Sequence, residues 1–361
     1  MRHFVSLLFV VGCSAGSDSQ GMGGDSGSPM VAPTAGSGEG DVLVVPHANG
    51  VTFLGLDGAT VASHTWTELV GNCASCGAEG SSPDGNGLLL SFTTGGGGGP
   101  GGRSGGIARV DLDGNLDFRL DGFAFPHDVI RDPADNSVFV VETLAHQLTW
   151  IAGDGGSDAP LRTLGSDNAE FIDNPNGAER LDYNGRTYVV VSHRPASGRI
   201  TMWDITTPDD PTFVWRFPAT GSVGVPHCPI LREVDGQWWL LWAHTEGIAT
   251  NQGSVGLAVT SDPTMAPTYV ADLAPGDDVG PFTFLRGVEL TADGRLFVTD
   301  SGGGGGATGR VIEAGWPDLA PPTTGETGEL GNQVFEDLGS TTVHLQVSSP
   351  FEAWLWDRFI E

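Results

Sequence analysis

The segment Pro126-His127-Asp128-Val129 is followed by the turn pair Asp135-Asn136 and by the β-rich run Val138 to Glu142. The same order recurs three times further along the chain, and the later copies begin at Pro175, Pro226 and Leu285. Their β-rich runs are Thr187 to His193, Trp238 to His244 and Leu296 to Asp300. A period of about fifty residues, built from strand, tight turn and strand, is typical of small antiparallel sheets repeated around an axis. The repeat therefore predicts an all-β fold, a β-propeller.

Two further hairpins precede these copies, and each has an Asp-Gly turn between alternating runs, which is a strong hairpin signal. The turns are Asp57-Gly58 and Asp113-Gly114. Six units predict a six-bladed propeller over residues 41–361, with seven blades as the alternative if the glycine-rich stretch Gly95 to Gly106 hides a degenerate unit. Because ring closure removes exposed sheet edges, we expect the run Thr342 to Val347 to complete the first blade beside Val42 to Val45.

Residues 1–12 are predicted to be a lipoprotein signal peptide. Phe4 to Val11 form an apolar run that is too short to span a bilayer but long enough for a leader core. The sequence Val10-Val11-Gly12-Cys13 resembles the bacterial box in which the leader is cut before a cysteine that is then lipidated. Ser14 favours sorting to the outer membrane of a Gram-negative cell. Residues 13–40 are small and polar, cannot bury enough apolar surface to order, and are expected to be a flexible tether.

The charge of the chain argues against nucleic acid as a partner. The formal net charge is −29 and the sequence contains no lysine. Phosphate backbones are bound by clustered Lys and Arg side chains that release counterions, and an acidic surface repels them. The only membrane contact that the sequence predicts is the lipid on Cys13. The hydrophobic content of 39 % is sufficient for a buried core.

The repeat also predicts where a site lies. In a propeller, the start of each first strand and the end of the second strand reach the same mouth of the central channel. Applied to the four copies, this rule pairs His127 with Glu142, Asn176 with His193, His227 with His244, and Arg286 with Asp300. Imidazole, guanidinium and carboxylate groups around one channel suit anion capture, nucleophilic catalysis or acid-base catalysis. The alternative for each histidine is a structural hydrogen bond to a neighbouring blade.

Cysteine use fits an exported protein with disulfides. Besides Cys13, the chain contains Cys73, Cys76 and Cys228. Cys73 and Cys76 are expected to form a local disulfide that leaves Cys228 single. In the alternative, one member of the pair reaches Cys228.

Two hairpin phrases carry a family resemblance. The phrases Phe53 to Trp66 and Ala108 to Leu116, together with Pro126-His127-Asp128-Val129, resemble hairpins and the His-His-Asp-Ile element of bacterial arylsulfotransferase-type propellers, although Pro126 replaces the first histidine. The resemblance implies that His127 accepts a sulfuryl group from one phenolic ester and passes it to another phenol. By repeat geometry, the further catalytic candidates are His193, His227, His244 and Arg286. The implied ligand is small and anionic or phenolic.

A later phrase, Leu285 to Ser301, is more similar to gluconolactonase and NHL-type propellers. That resemblance implies a lactonase with a divalent cation such as Ca²⁺ in the channel. The oxygen ligands would be Glu142, Asn176, Glu179, Glu289 and Asp300. A non-catalytic propeller that binds a ligand or another protein is the third hypothesis, because a fold does not fix an activity.

Overall fold

The computed structural model describes residues 9–10, 42–47, 49–73, 76–84, 87–94, 104–111, 115–132, 134–157, 159–165, 167–168, 170–171, 174–194, 198–207, 209–244, 253–275, 282, 285–290, 295–300, 309–315 and 328–337. Over these residues the chain is nearly all β and forms a six-bladed propeller, as predicted. The predicted signal peptide (except Phe9–Val10), Cys13, the tether and the run Thr342 to Val347 lie outside the described residues. No helix in the described ranges is long and apolar enough to cross a membrane.

The blades follow one another in chain order, and in blades 2 to 6 the first strand lies innermost. Blade 1 contains β1 (Phe9–Val10), β2 (Val42–His47), β3 (Gly50–Gly55) and β4 (Thr60–Thr65), followed by the helix α1 (Trp66–Val70). Blade 2 contains β5 (Cys76–Pro83), β6 (Gly87–Thr94), β7 (Ser104–Asp111) and β8 (Leu116–Ala124). Blade 3 contains β9 (Pro126–Arg131), β10 (Val138–Glu142), β11 (Gln147–Ile151) and β12 (Arg162–Gly165).

Blade 4 contains β13 (Pro175–Tyr183), β14 (Arg186–His193), β15 (Arg199–Asp204) and β16 (Thr212–Phe217). Blade 5 contains β17 (Pro226–Val234), β18 (Gln237–His244), β19 (Ser254–Thr260) and β20 (Thr268–Pro275). Blade 6 contains β21 (Leu285–Leu290), β22 (Leu296–Asp300), β23 (Arg310–Gly315) and β24 (Gly328–Asp337). Neighbouring strands within blades 2 to 6 pair antiparallel, whereas β1 pairs parallel to β2, and β24 pairs parallel to β20 of the preceding blade.

Strand alternation explains how the blades pack. Val138 and Val140 of β10 pack towards blade 2, whereas Phe139 and Val141 pack towards blade 4, because successive side chains of a strand point to opposite faces. Both faces of a blade are therefore buried, and the strands are hydrophobic on both sides. Each described hydrophobic cluster joins two successive blades in this way.

The ring closes between blades 6 and 1. Leu43 and Leu54 of blade 1 pack against Phe297 and Val311 of blade 6. Arg295 adds a hydrogen bond from its Nη2 to the carbonyl oxygen of Leu56, at 2.6 Å. These contacts join segments from opposite ends of the described chain, so the first strands surround one axis.

The hairpin predictions are confirmed where the structure describes them. Asn184 and Gly185 have φ angles of 52° and 73°, and Asp235 and Gly236 have φ angles of 49° and 78°. Tight hairpin turns of this kind require positive φ at both central residues, which Asn, Asp and Gly tolerate. The predicted turns Asp113-Gly114 and Asp293-Gly294 lie outside the described residues.

The strand after the turn Asp57-Gly58 is shorter than the hairpin phrase Phe53 to Trp66 indicates. It ends at Thr65, because Thr65 caps the short helix α1. The Thr65 Oγ1 accepts from the backbone N–H of Glu68 at 3.3 Å, and the Glu68 carboxylate accepts from the backbone N–H of Thr65 at 2.6 Å. This reciprocal pair is a capping box, which starts a helix by satisfying its first N–H groups.

Candidate functional site

The first strands of five blades carry β-bulges near their starts. Glu79, His127 and Arg286 are the extra residues of the bulges in β5, β9 and β21. Asn176 lies in the bulge of β13, and His227 directly precedes the bulge of β17. A bulge re-aims the side chain that it carries. We call these five residues, from five consecutive blades, the channel cluster.

The channel cluster is centred on the Glu79 carboxylate. Glu79 Oε2 lies 3.7 Å from His127 Nε2 and 3.6 Å from Arg286 Nη2. The rings of His127 and His227 lie 6.4 Å apart between centroids. Asn176 Nδ2 lies 2.5 Å from His227 Nδ1, and Arg286 Nη1 lies 3.4 Å from the same nitrogen. Residues about fifty or more positions apart along the chain thus share one network.

Burial makes this network electrostatically strong. Each of the five residues is at most 6 % exposed to solvent. A carboxylate, a guanidinium and two imidazoles in so dry a place interact more strongly than they would in water. Because buried charges are costly unless paired, the proximity of Glu79 to Arg286 is what makes both tolerable there.

The backbone next to the channel cluster is held in an unusual conformation. Phe125, Asn174 and Cys228 have φ angles of 60°, 55° and 38°, a region that residues other than Gly rarely occupy. Each lies within two residues of a cluster member. The ring of Phe125 also packs edge-on against His127, with centroids 4.9 Å apart. Such conformations persist only where the surrounding structure enforces them, and they concentrate at functional sites.

A second polar layer lies deeper along the first strands. Arg232 of β17 donates to Glu179 of β13, and its Nη2 lies 3.1 Å from Glu289 Oε1 of β21. Burial raises the pKa of Glu179 and raises the pKa of Glu289 well above its ordinary value. Glu179 Oε2 also accepts from the backbone N–H of Leu231 at 2.5 Å. Glu179 and Glu289 are therefore held in an ion-pair network between blades.

Equivalent contacts join the earlier blades. Ser82 of β5 donates to the carbonyl oxygen of Val129 at 2.6 Å, and Asp128 of β9 accepts from the backbone N–H of Ala178 at 3.1 Å. Each contact runs from one first strand to the next. This layer ties neighbouring blades together, as expected for polar residues at blade junctions.

The candidates at the ends of the second strands lie elsewhere. His193 Nε2 lies 2.8 Å from Thr201 Oγ1, and the His193 ring packs edge-on against Phe171 at 4.9 Å. Glu142 Oε1 accepts from Thr149 Oγ1 at 2.5 Å, and Asp300 Oδ2 accepts from Arg310 Nη2 at 3.1 Å. In each case the partner lies on the third strand of the same blade. We call these contacts the strand-end pairs; His47 and Thr52 form the same pair in blade 1, at 2.9 Å.

The predicted strand register is displaced by one residue. Glu142, His193, His244 and Asp300 pair with Pro126, Pro175, Pro226 and Leu285, and not with the polar residue that follows each of these. In blades 3, 4 and 6 the bulge leaves His127, Asn176 and Arg286 without a strand partner of their own. In blade 5 His227 pairs with Ala243, and the bulge follows it. The side chain of His244 lies outside what the structure describes.

The ligands expected for a divalent cation are not brought together. Glu142 and Asp300 belong to strand-end pairs, Glu179 and Glu289 to the ion-pair network, and Asn176 to the channel cluster. Within the described ranges, no group of three or more His, Cys, Asp or Glu residues is arranged to hold a metal ion.

The cysteine predictions are confirmed in part. Cys73 and Cys76 form the predicted local disulfide, with their Cα atoms 5.5 Å apart. The alternative in which one of them reaches Cys228 is therefore wrong. Cys228 is buried beside His227, and none of the described cysteines is a free thiol, so the expectation of a single Cys228 is wrong as well.

Glu79 is the member of the channel cluster that the sequence prediction missed. Its strand reads Cys76-Gly77-Ala78-Glu79-Gly80-Ser81-Ser82-Pro83, which has weak β-propensity. Such a strand resembles a loop in the sequence, so the repeat does not single out Glu79. The signal that points to Glu79 is its position in the repeat. Glu79 precedes a turn and the buried run Leu88 to Phe92, and His127 precedes Val138 to Glu142 in the same way.

Comparison with known proteins supports the fold alone. No protein family matches the sequence, and no curated protein matches it. A chain from the crystal structure of a Nidogen/Laminin complex is 12 % identical, with 85 % of this chain and 97 % of that chain covered and a TM-score of 0.52. A putative 6-phosphogluconolactonase from Bacteroides uniformis ATCC 8492 is 11 % identical, with 84 % and 98 % covered and a TM-score of 0.50. The arylsulfotransferase resemblance has no family match behind it, and what is shown is the β-propeller fold.

Proposed function

We propose that the protein binds a small aryl sulfate in its channel and transfers the sulfuryl group through His127 to a phenol. The observation that carries this proposal is the meeting of three residues selected from the repeats. His127 and Arg286 lie beside the buried Glu79 carboxylate, and His227 lies beside Arg286. The same three residues include a nucleophile candidate and two groups with N–H donors. Their arrangement matches the needs of sulfuryl transfer better than those of metal-dependent hydrolysis.

Glu79 activates His127 in this proposal. The carboxylate accepts a hydrogen bond from the Nε2–H of His127, which leaves the lone pair on Nδ1 and makes the neutral imidazole a nucleophile. The distance of 3.7 Å is longer than a hydrogen bond, and catalytic contacts of this kind commonly shorten when substrate binds. Before substrate binds, the Glu79 carboxylate balances the charge of Arg286. The anionic ester then takes over this role beside the guanidinium.

The reaction runs in two halves. His127 Nδ1 attacks sulfur, the S–N bond forms, and the S–O bond to the aryl group breaks; the leaving phenolate keeps the electron pair and takes a proton from water. The oxygen of an acceptor phenol then attacks sulfur, the S–N bond breaks, and the lone pair returns to Nδ1 while the phenol proton passes to water. Arg286 and the N–H of His227 stabilise the sulfuryl oxygens, where negative charge is greatest. The sum converts one aryl sulfate and one phenol into the other pair.

The test uses 4-nitrophenyl sulfate as donor and phenol as acceptor, and follows release of 4-nitrophenol. We expect transfer by the wild-type protein and a loss of at least about 100-fold in His127→Asn, since a nucleophile is removed. The matched control is His64→Asn, a histidine in β4 outside the channel cluster, which should keep wild-type turnover. No transfer by the wild type, or equal turnover in His127→Asn, would refute the proposal. Binding of the ester without turnover would instead identify a binding propeller.

We also propose that the propeller is displayed on the outer membrane through lipid on Cys13. The support is the sequence Val10-Val11-Gly12-Cys13 and the small, polar composition of residues 13–40. Expression in a Gram-negative host should give a membrane-associated form whose mass includes the acyl chains, and Cys13→Ala should abolish both.

A further inference from the structure

Asn176 holds an unused hydrogen-bond acceptor inside the channel cluster. The residue is fully buried, and its Nδ2 donates to the carbonyl oxygen of Pro226 at 3.2 Å and to His227 Nδ1 at 2.5 Å. Its Oδ1 accepts no hydrogen bond from any described residue. A buried amide oxygen without a donor is unfavourable, and such a group in a native protein calls for an explanation.

The orientation of this amide is fixed by its neighbours. The carbonyl of Pro226 can only accept, so the atom that faces it must be the Nδ2 donor. Arg286 has donors only, and its Nη1 lies 3.4 Å from His227 Nδ1, so that nitrogen must also be an acceptor. A flipped amide would place its oxygen against the Pro226 oxygen and the His227 lone pair. Oδ1 is therefore the atom left over, and neutral His227 carries its proton on Nε2.

We propose that Asn176 determines specificity, because its Oδ1 accepts a hydrogen bond from the hydroxyl group of the acceptor substrate. The channel would then bind two chemical groups side by side: an anionic oxygen group at Arg286 and the His227 N–H, and an O–H donor at Asn176. The substrate class that this pairing selects is a phenol, and not its ether. This inference rests on the proposed function for its choice of anion, and it concerns binding, which does not require turnover.

Asn176 also positions His227. By donating to Nδ1, the amide keeps the His227 proton on Nε2, so that His227 acts as a donor to the anion and not as a competing nucleophile. Replacement of Asn176 by Leu removes both the acceptor Oδ1 and the donor Nδ2. Asn176→Asp keeps an acceptor, but it replaces the donor that faces His227 Nδ1 with a second acceptor. The His227 ring should then become protonated at both nitrogens.

The test measures binding of phenol and of anisole, its methyl ether, by titration calorimetry in the presence of saturating inorganic sulfate. We expect the wild type to bind phenol at least about 10-fold more tightly than anisole, because the ether leaves Oδ1 without a donor. Asn176→Leu should bring this ratio close to one. The ¹⁵N shifts of His227 should show a protonated Nδ1 in Asn176→Asp. Thr201→Val, in the same blade but in a strand-end pair, should keep the wild-type ratio.

Equal affinity of the wild type for phenol and anisole would overturn the inference. This outcome does not depend on whether any variant folds. A wild-type ratio that persists in folded Asn176→Leu would overturn it too. The outcome is separable from the proposed function. A phenol preference without sulfuryl transfer would refute the transfer proposal alone, and transfer with a ratio of one would refute the role of Asn176 alone.

Discussion

His127 and His193 are two buried histidines at corresponding levels of neighbouring blades, yet their surroundings differ. His127 lies at a bulge in a first strand, and its Nε2 is 3.7 Å from a carboxylate contributed by another blade. His193 lies at the end of a second strand, and its Nε2 is 2.8 Å from a hydroxyl of its own blade. The channel cluster joins blades around the axis, whereas the strand-end pairs join strands within a blade.

This difference separates a site from a scaffold. The paired atoms of the strand-end pairs find their partners within one blade. The channel cluster instead gathers polar and charged groups from five blades, with longer contacts of 3.4 to 3.7 Å. It also includes the Asn176 oxygen, which accepts from no described residue. Identical residue types therefore serve two purposes, and the bulge in the first strand decides which.

The largest effect that tests this contrast is expected from breaking a strand-end pair. Thr201→Val keeps the shape of the side chain but removes the hydroxyl that contacts His193 Nε2 and accepts from Trp203 Nε1 at 3.0 Å. Leaving these buried groups without that partner should lower the free energy of unfolding by about 1–3 kcal/mol, measured by urea denaturation. Sulfate affinity should stay within about twofold, because distant sites act independently. A large loss of sulfate affinity would mean that the two regions are one unit.

The repeat was sufficient to predict the propeller, and the reason is physical. Asp235-Gly236 and Asn184-Gly185 specify their turns through backbone conformations that few residues adopt, and the β-rich runs bury both faces. The sequence also brought His127, His227 and Arg286 into one candidate set. Turn residues, β-rich runs and their repeat period can all be recognised in a single sequence.

The strand register and the side-chain partners depend on details that the repeat period does not specify. A bulge moves one side chain by one position, and the simple rule that pairs strand ends therefore placed His193, Glu142 and Asp300 in the site. Glu79 was missed because its strand is made of Gly, Ala and Ser and resembles a loop. Which partner a polar side chain chooses is decided by packing between blades, and this is absent from local sequence.

A smaller effect, with a defined sign, is expected from Glu289→Gln in the second polar layer. Burial raises the pKa of Glu289, so the folded protein binds this proton more tightly than the unfolded chain does. Wild-type stability should therefore fall as pH rises from about 4.3, the unfolded value, through the raised pKa of the folded state. Glutamine cannot ionise, and it can still accept from Arg232, which retains its pairing with Glu179.

The free energy of unfolding of Glu289→Gln minus that of wild type should consequently increase across this pH window and level off below it. We expect the change to be smaller than that of Thr201→Val, because loss of the Arg232 ion pair offsets part of the gain. Glu68→Gln is the control with the opposite sign. The backbone hydrogen bond from Thr65 lowers the pKa of Glu68, so its contribution is present above the unfolded pKa and is lost as pH falls. Both differences are measured by urea denaturation from pH 4 to pH 8. A pH-independent difference for Glu289→Gln would contradict the raised pKa of Glu289 in the folded protein.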